Sequence, residues 1–438
     1  MPRNVLGIGS SPRLARPALL VFVAWRNLWR NPVRSLLTVS ALAGALVMVI
    51  LYAALLEGML TQMVSSATER TTGHLQVHRQ AFIDDRDLYA TLPGSHLETI
   101  EALDEGMAVT PRLYAAGLAS ADQTSTGVMI QAIDPDREPR VTDMLSHVRE
   151  GRARLQREGP GHAHPVVIGS QLARNMRIAP GSELVLVTQA ADGSVGNAIF
   201  RVTGVLKPIA PDFDRMGVLL SIDAYRELMS LEDGFHELAV HLDDPDDIAT
   251  TQVRLDQVLA DLASAQPLDE LGGPAVVRNW RELNPTLADM LALSETLLLV
   301  IGLIVISLAA MGVLNTMLMA VHERSHEFGI LLAIGMKRRW LLTMVMFESL
   351  FLGLVAAVLG VTAGMLLVAY LGEDGIDFSA ALPEGYDWAG MVFEPVIPLA
   401  LEAGHVIEAV LLMLGITLLA AAIPSWHSTR LKPAEVMR

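Results

Sequence analysis

Cysteine does not occur in the 438 residues. Its absence excludes disulfides, thiolate metal sites, cysteine nucleophiles and a lipid-modified N-terminal cysteine. Lysine is nearly as scarce: Lys207 precedes Pro208, Lys337 precedes Arg338, and Lys432 precedes Pro433. A nucleotide phosphate loop needs Lys followed by Ser or Thr after a Gly-rich turn. None of the three fits, so any ATP that serves this chain is hydrolysed by another. Charge is thin overall, at 18% of residues, against about 25% in soluble domains. That shortfall accompanies a mean hydropathy of +0.41 and points to a membrane protein. The net charge of -16 argues against a nucleic-acid binder, which needs a basic face. GxSxG does not occur, which leaves no nucleophile-elbow motif.

What the chain has in quantity is long apolar runs. Four stretches reach the roughly 20 residues that cross a bilayer as helix: 35–57, 291–321, 341–371 and 406–424. The first two are essentially free of charge, while Glu348 falls in the third and Glu408 in the fourth. The first run begins too late and is too long for a cleavable signal, so it reads as an uncleaved anchor. Lys and Arg set the orientation. Residues 1–34 hold six Arg and no acid, the loop 322–340 holds Arg324, Lys337, Arg338 and Arg339, and the tail 425–438 holds Arg430, Lys432 and Arg438. The loop 372–405 has seven acids and no Lys or Arg. Both termini and the loop 322–340 are therefore expected in the cytoplasm, and 58–290 outside. The stretch 57–295 carries 36 acids and 19 bases, a balance of -17 that accounts for the whole net charge.

Residues 1–17 read as a loose basic tail, followed by a helix from Ala18 to Arg34. Arg26, Arg30 and Arg34 share one face of it, and Trp25 and Trp29 a neighbouring face. Two readings stand: an interfacial helix with Arg toward lipid phosphates, or an ordinary positive flank with its aromatic belt. The apolar stripe of the first span continues through Leu55, Leu56, Met59, Leu60 and Met63. Asn284-Pro285 starts a mirror helix leading into the second span. From Pro285 to Val321 is about 55 Å of helix, against a bilayer core of about 30 Å, so these two spans are expected to project outward as a stalk. Between them, strands are expected at His74–Arg79, Gly127–Ile133, Glu183–Gln189, Ile199–Val205 and Gly217–Ser221, and helices at Ile222–Leu231 and Ile248–Ala263. This makes 58–290 an α+β domain of two subdomains, with a β-rich middle (about 140–220) inserted in a lobe built from both flanks.

Candidates for chemistry are few. His162 and His164 lie in a Gly/Pro loop, and His74 and His78 are four apart on an expected strand. Neither pair gives a compact tetrahedral site, so no metal is assigned. Ser170 reads as a helix N-cap rather than a nucleophile, and no catalytic residue is assigned. Glu348 and Glu408 are either functional intramembrane acids or residues of the interface. Asn315, Thr316 and Ser307 suit interhelical hydrogen bonds, and Gly360-x-x-x-Gly364 suits close helix packing.

The most specific stretch is Asn315 to Gly335, NTMLMAVHERSHEFGILLAIG. It holds Glu323-Arg324-x-x-Glu327-Phe328-Gly329, then Leu331 and Leu332, then Ala333-Ile334-Gly335. This resembles the signature of FtsX-like permeases, the membrane subunits of MacB- and LolCDE-type ABC systems. The run Ala24–Asn31 with Arg34 resembles the family's pre-span helix. Val166–Leu172, Ala179-Pro180-Gly181, Val202–Val205 and Phe213-Asp214 resemble its external domain, and Pro424 with Leu431–Arg438 its tail. Met336 and Met437 are mild departures. The resemblance covers nearly the whole chain and lies nearest the LolC/LolE branch, which has no fused ATPase.

The resemblance implies an α-helical membrane protein with four transmembrane helices and a large periplasmic MacB-like core domain, in a bacterial inner membrane. It implies a non-catalytic permease, paired with a second copy or paralogue, that binds a dimer of cytoplasmic ATPases and also meets a periplasmic or outer-membrane partner. ATP and Mg are then used by the ATPase and no cofactor is bound by this chain. Glu323, Arg324, Glu327, Phe328, Gly329, Leu331, Leu332 and Gly335 are expected to form the ATPase-coupling segment, with Phe328 as apolar anchor. Leu55, Leu56, Met59, Leu60 and Met63 serve either a substrate path or stalk packing. The implied activity is mechanical transmission, for lipoprotein or amphiphile release or export of a periplasmic substrate; the alternative is FtsX-like signalling to a periplasmic enzyme.

Overall fold

The computed structural model describes residues 15–103, 106–122, 124–157, 159, 161–265, 272–372, 375–380, 386–388, 391–393 and 395–429. The basic tail through residue 14 and the closing stretch 430–438 lie outside the described residues. Among the described residues the helices of eight residues or more are, in chain order, α1 (Ala15–Leu28), α2 (Pro32–Ala67), α3 (Ile222–Met229), α4 (Ile248–Ala265), α5 (Pro285–Glu323), α6 (Ser325–Ala333), α7 (Arg338–Gly372) and α8 (Ala403–Thr429). The chain divides into two compact units. One comprises Met1–Met59, Ala292–Asp377 and Ile397–Arg438; the other comprises Leu60–Leu291 and Phe378–Val396.

Among the described residues four helices are long and apolar enough to cross a membrane, Pro32–Thr72, Pro285–Glu323, Arg338–Gly372 and Ala403–Trp426; they belong to the first unit except for the stretches 60–72 and 285–291, which belong to the second. α2 and α5, at 36 and 39 residues, extend over about 54 and 58 Å. The expected single helix from Ala18 to Arg34 is interrupted instead. α1 ends at Leu28 and a turn precedes Pro32, because proline favours the first helical position, where its missing N–H costs nothing. Pro424 does not end α8, which runs on to Thr429. The helices pack through Leu42, Leu46 and Ile50 of α2, Ile306 and Val313 of α5, Leu352 and Ala356 of α7, and Met413 of α8. A Cβ at Gly360 would lie 3.0 Å from the Ala43 carbonyl oxygen, and one at Gly364 3.1 Å from the Ile50 side chain. The two glycines thus let α7 approach α2 closely. Thr38 Oγ1 donates to Thr316 Oγ1 at 3.1 Å, a polar tie between α2 and α5.

The second unit is built on ten strands: β1 (Leu75–Arg79), β2 (Met107–Ala121), β3 (Thr124–Ile133), β4 (Val148–Gly151), β5 (His164–Ile168), β6 (Glu183–Gln189), β7 (Val195–Leu206), β8 (Gly217–Ser221), β9 (Glu237–Leu242) and β10 (Ala275–Asn279). Their order is β10-β1-β9-β2-β3-β8-β5-β7-β4, with β6 bridging β2 and β7. The pairings β2–β3, β3–β8, β8–β5, β5–β7, β7–β6 and β6–β2 therefore close a six-strand ring. β2 belongs to both parts. Its Met107–Arg112 pairs with β9 and its Gly117–Ser120 with β6. The expected inserted middle is present as β4–β8, but it shares β2 and β3 with the flanking strands. One core, including Leu75, Leu113, Ile130, Val166, Phe200 and Leu238, runs beneath.

A charged cluster is buried in this unit. Arg112 donates to Glu138 at 2.5 and 3.2 Å, to Glu237 at 2.8 Å and to the Thr71 carbonyl at 2.6 Å. Tyr114 Oη donates to the other Glu237 oxygen at 2.8 Å. Burial opposes the Arg112 charge, but Glu138 and Glu237 hold its pKa well above the usual value. Thr71 lies in a π-helical turn, Thr68–Thr72, that follows α2 directly. The cluster therefore joins β2, β9 and the turn after β3 to the chain that leaves α2.

Candidate functional site

The segment between α5 and α7 is short and sharply delimited. α5 ends at Glu323, Arg324 leaves helical geometry, and α6 takes up Ser325–Ala333. Gly335 closes α6 with a backbone φ of +99°. Its N–H donates to Leu332 at 3.1 Å and that of Met336 to Leu331 at 3.0 Å, the paired bonds of a Schellman cap that a glycine best permits. Glu323 and Glu327 thus sit on two helices rather than one.

Glu323 and Glu327 are held by the chain's own arginines while staying partly exposed. Arg30 donates to both oxygens of Glu327, at 2.6 and 3.1 Å. Arg34 does the same to Glu323, at 2.7 and 2.9 Å. Arg324 reaches Glu327 at 3.3 Å and Glu348, on α7, at 3.1 Å. Its guanidinium also lies over the Phe328 ring, 5.1 Å from the centroid. Hydrogen bonds from Arg30, and less strongly from Arg324, hold the Glu327 carboxyl below its ordinary range despite partial burial. Arg30 is raised in turn, chiefly by the same bond.

Phe328 is not an exposed anchor. It is 1% exposed and packs with Val321, Leu341, Met344 and Val345, flanked by Val23 of α1, Leu332, Met336 and Trp340. An aromatic ring at this crossing fills the space under α6, so it stabilises the segment from below. Gly329 is buried beside it. The exposed large apolar residues here are Ile330 and Leu331 of α6 and, at 80% exposure, Ile334 in the cap that follows. Lys337, Arg338 and Arg339 follow them, all exposed. An apolar ridge followed by three cations is what this segment exposes.

The other expected site residues are scattered. Leu55, Leu56, Met59 and Leu60 are half-buried along α2, whereas Met63 is 1% exposed and packed away. Met63 therefore offers no surface to a substrate. Asn315 is exposed on α5, and the neighbouring Thr316 makes the interhelical bond instead. Ser170 starts a short helix without a capping bond from its side chain. His74 stacks on His241, centroids 4.6 Å apart, and His78 bonds Gln76 at 2.9 Å. His164 pairs with Glu227 at 2.8 Å.

Sequence reasoning missed the role of Arg30 and Arg34, which it placed either toward lipid phosphates or in an ordinary positive flank. Its only signal was the shared four-residue spacing, Arg30 to Arg34 and Glu323 to Glu327. It also missed the Arg112 cluster and a polar cleft of about 690 Å³ in the second unit, lined by Asp134, Arg137, Arg157, His164, Arg226 and Glu227 among others.

Comparison with known proteins follows the same division. The family model described as FtsX-like permease C-terminal matches residues 299–433, and that described as MacB-like periplasmic core domain matches residues 35–258. The chain is 23% identical over 318 residues to the lipoprotein-releasing system transmembrane protein LolC of Neisseria meningitidis, covering 71% of this chain and 73% of that protein. To the lipoprotein-releasing system transmembrane protein LolE of Haemophilus influenzae it is 20% identical over 329 residues, covering 71% and 72%. The crystal structure of the periplasmic region of MacB from Actinobacillus actinomycetemcomitans aligns at 13% identity over 51% of this chain and 95% of that one, with a TM-score of 0.37.

Proposed function

Because the chain belongs to the FtsX-like permeases with a MacB-like periplasmic core domain, we propose that it is the membrane subunit through which a separate ATPase dimer drives movement outside the membrane. At the coarser level it is a membrane-spanning ABC transporter permease of the LolC, MacB and FtsX type. The finer reading puts both termini and α6 in the cytoplasm and the second unit in the periplasm, in agreement with the Lys and Arg asymmetry. The ATPase pair binds Mg-ATP, and two permeases, identical or paralogous, complete the transporter. The long α2 and α5 serve as stalk helices, and the cargo is a lipoprotein, another amphiphile or a periplasmic substrate.

One observation carries this reading: α6 is a capped helix between two membrane helices that exposes, with its cap, Ile330, Leu331 and Ile334 beside Lys337–Arg339. A short helix with an apolar ridge is what a groove on a partner accepts. Truncating an anchor in such a groove commonly costs about 2 kcal/mol or more, roughly thirtyfold in affinity. The test is purification of the full-length chain from membranes. An ATPase subunit is expected to come with the wild type and to be lost from Leu331→Glu/Ile334→Glu, at unchanged membrane abundance. Retention of the ATPase by that variant would overturn the assignment of the ridge.

A further inference from the structure

The turn after α1 and the start of α2 are joined to α6 and to the end of α5 by two adjacent bidentate ion pairs, Arg30–Glu327 and Arg34–Glu323. Isolated surface pairs hold little, but these differ in three ways. Both are fork-to-fork, which fixes orientation as well as distance. They are four residues apart on each side, so one cannot shift without the other. They also continue inward, because Glu327 bonds Arg324 and Arg324 bonds Glu348 of α7.

Apolar packing follows the same line. Val23 of α1 lies against the cluster that buries Phe328, and Trp25 of α1 meets Phe351 of α7 edge-on at 5.5 Å. Phe22 of α1 and Trp29 of the turn after it are about 60% exposed, and Trp29 meets Trp25 edge-on at 6.1 Å, an aromatic surface suited to the headgroup region of a bilayer.

We propose that Arg30 and Arg34 form a clasp that holds α6 and the end of α5 to the turn after α1 and to the start of α2, so that these elements move as one body when an ATPase moves α6. The two arginines are positioning residues for energy coupling. They touch no nucleotide and carry no part of the ATPase contact, which belongs to the ridge on the other side of α6. The clasp explains why two acids flank Arg324 at a surface otherwise selected for apolar contact: they are held by the chain itself. It gives a force on α6 a direct route into α2, the helix that continues into the π turn and the Arg112 cluster.

This inference rests on the transporter reading above, and the experiment separates the two. Arg34→Glu, Glu323→Arg and the double exchange Arg34→Glu/Glu323→Arg are each purified as the full chain with its bound ATPase and placed in nanodiscs. ATPase retention, the melting temperature of the complex and the rate of ATP hydrolysis are read together. Each single reversal is expected to keep the ATPase bound and the melting temperature near wild type, but to lower hydrolysis about tenfold, the size typical of coupled neighbours. The double exchange is expected to recover to within about threefold of wild type, since it restores the pair in reverse. Wild-type hydrolysis in the single variants overturns the clasp, as does a double variant no better than the worse single. A loss of hydrolysis that tracks a fall in melting temperature would make the pairs merely structural and overturn it too. If no ATPase accompanies even the wild type, the transporter reading fails, and the clasp fails with it as a coupling device.

Discussion

At the scale of single residues, the second unit depends on polar groups that are buried in one protonation state. His74 Nδ1 accepts the Leu242 N–H at 3.0 Å, which requires an unprotonated nitrogen. His236 does the same for Tyr114 N–H at 2.9 Å, while its Nε2 donates to the Leu88 carbonyl at 2.7 Å. Burial, helped by the facing His241, pushes His74 down to about 4. Burial likewise lowers His78, His96 and His236. The unfolded chain then takes up protons first as pH falls through about 6.5. Stability is therefore full above that pH and is lost progressively as pH falls toward 4. Melting of the full chain near pH 5 should come well below that near pH 7, and His74→Gln should shrink the gap. Arg112 gives a sharper case. Arg112→Met leaves Glu138 and Glu237 as uncompensated buried carboxylates and should cost roughly 3–5 kcal/mol. Adding Glu138→Gln and Glu237→Gln should recover part of that loss, measured by thermal unfolding of the same preparations.

At the scale of elements, the helix contacts yield a prediction of opposite signs. Ala replaces Gly in an exposed helix with a gain of up to about 1 kcal/mol. Gly312→Ala, where a Cβ meets nothing within 4 Å, should be neutral or stabilising. Gly360→Ala places its Cβ 3.0 Å from both the Ala43 carbonyl and Leu46, and should destabilise by about 1–3 kcal/mol, as overpacking does. Melting in detergent compares the two. The membrane helices were legible in the sequence because an unbroken apolar run needs no partner to be recognised. Half of the strands were legible from alternation, such as Glu183–Gln189 and Gly217–Ser221. β2 was not, since Pro111, Gly117 and its alanines dilute the pattern, and its first half is buried on both faces. The coupling segment was legible as a motif, but its inside and outside were not. Phe328 reads as an anchor until Leu341 and Met344 are seen around it, and Glu327 reads as free until Arg30, 297 positions away, is seen to hold it. Contacts at that separation leave no local trace.

At the scale of the whole molecule, the account is of a membrane subunit that passes on motion. Its acidic second unit, Leu60–Leu291 with Phe378–Val396, is large enough to be the part that is moved. The absence of native cysteine allows the motion to be read directly. Val195 of the second unit and Tyr370 of the first are both exposed. Spin labels on Val195→Cys and Tyr370→Cys report the distance between the units in the permease–ATPase complex in nanodiscs. With Mg-ATP trapped on the ATPase, the distance distribution is expected to shift. In the Leu331→Glu/Ile334→Glu background, with the ATPase supplied in excess, it is expected to stay as it is without nucleotide. A wild-type distribution that does not change between nucleotide-free and Mg-ATP-trapped complexes, with the ATPase demonstrably bound, would contradict the account.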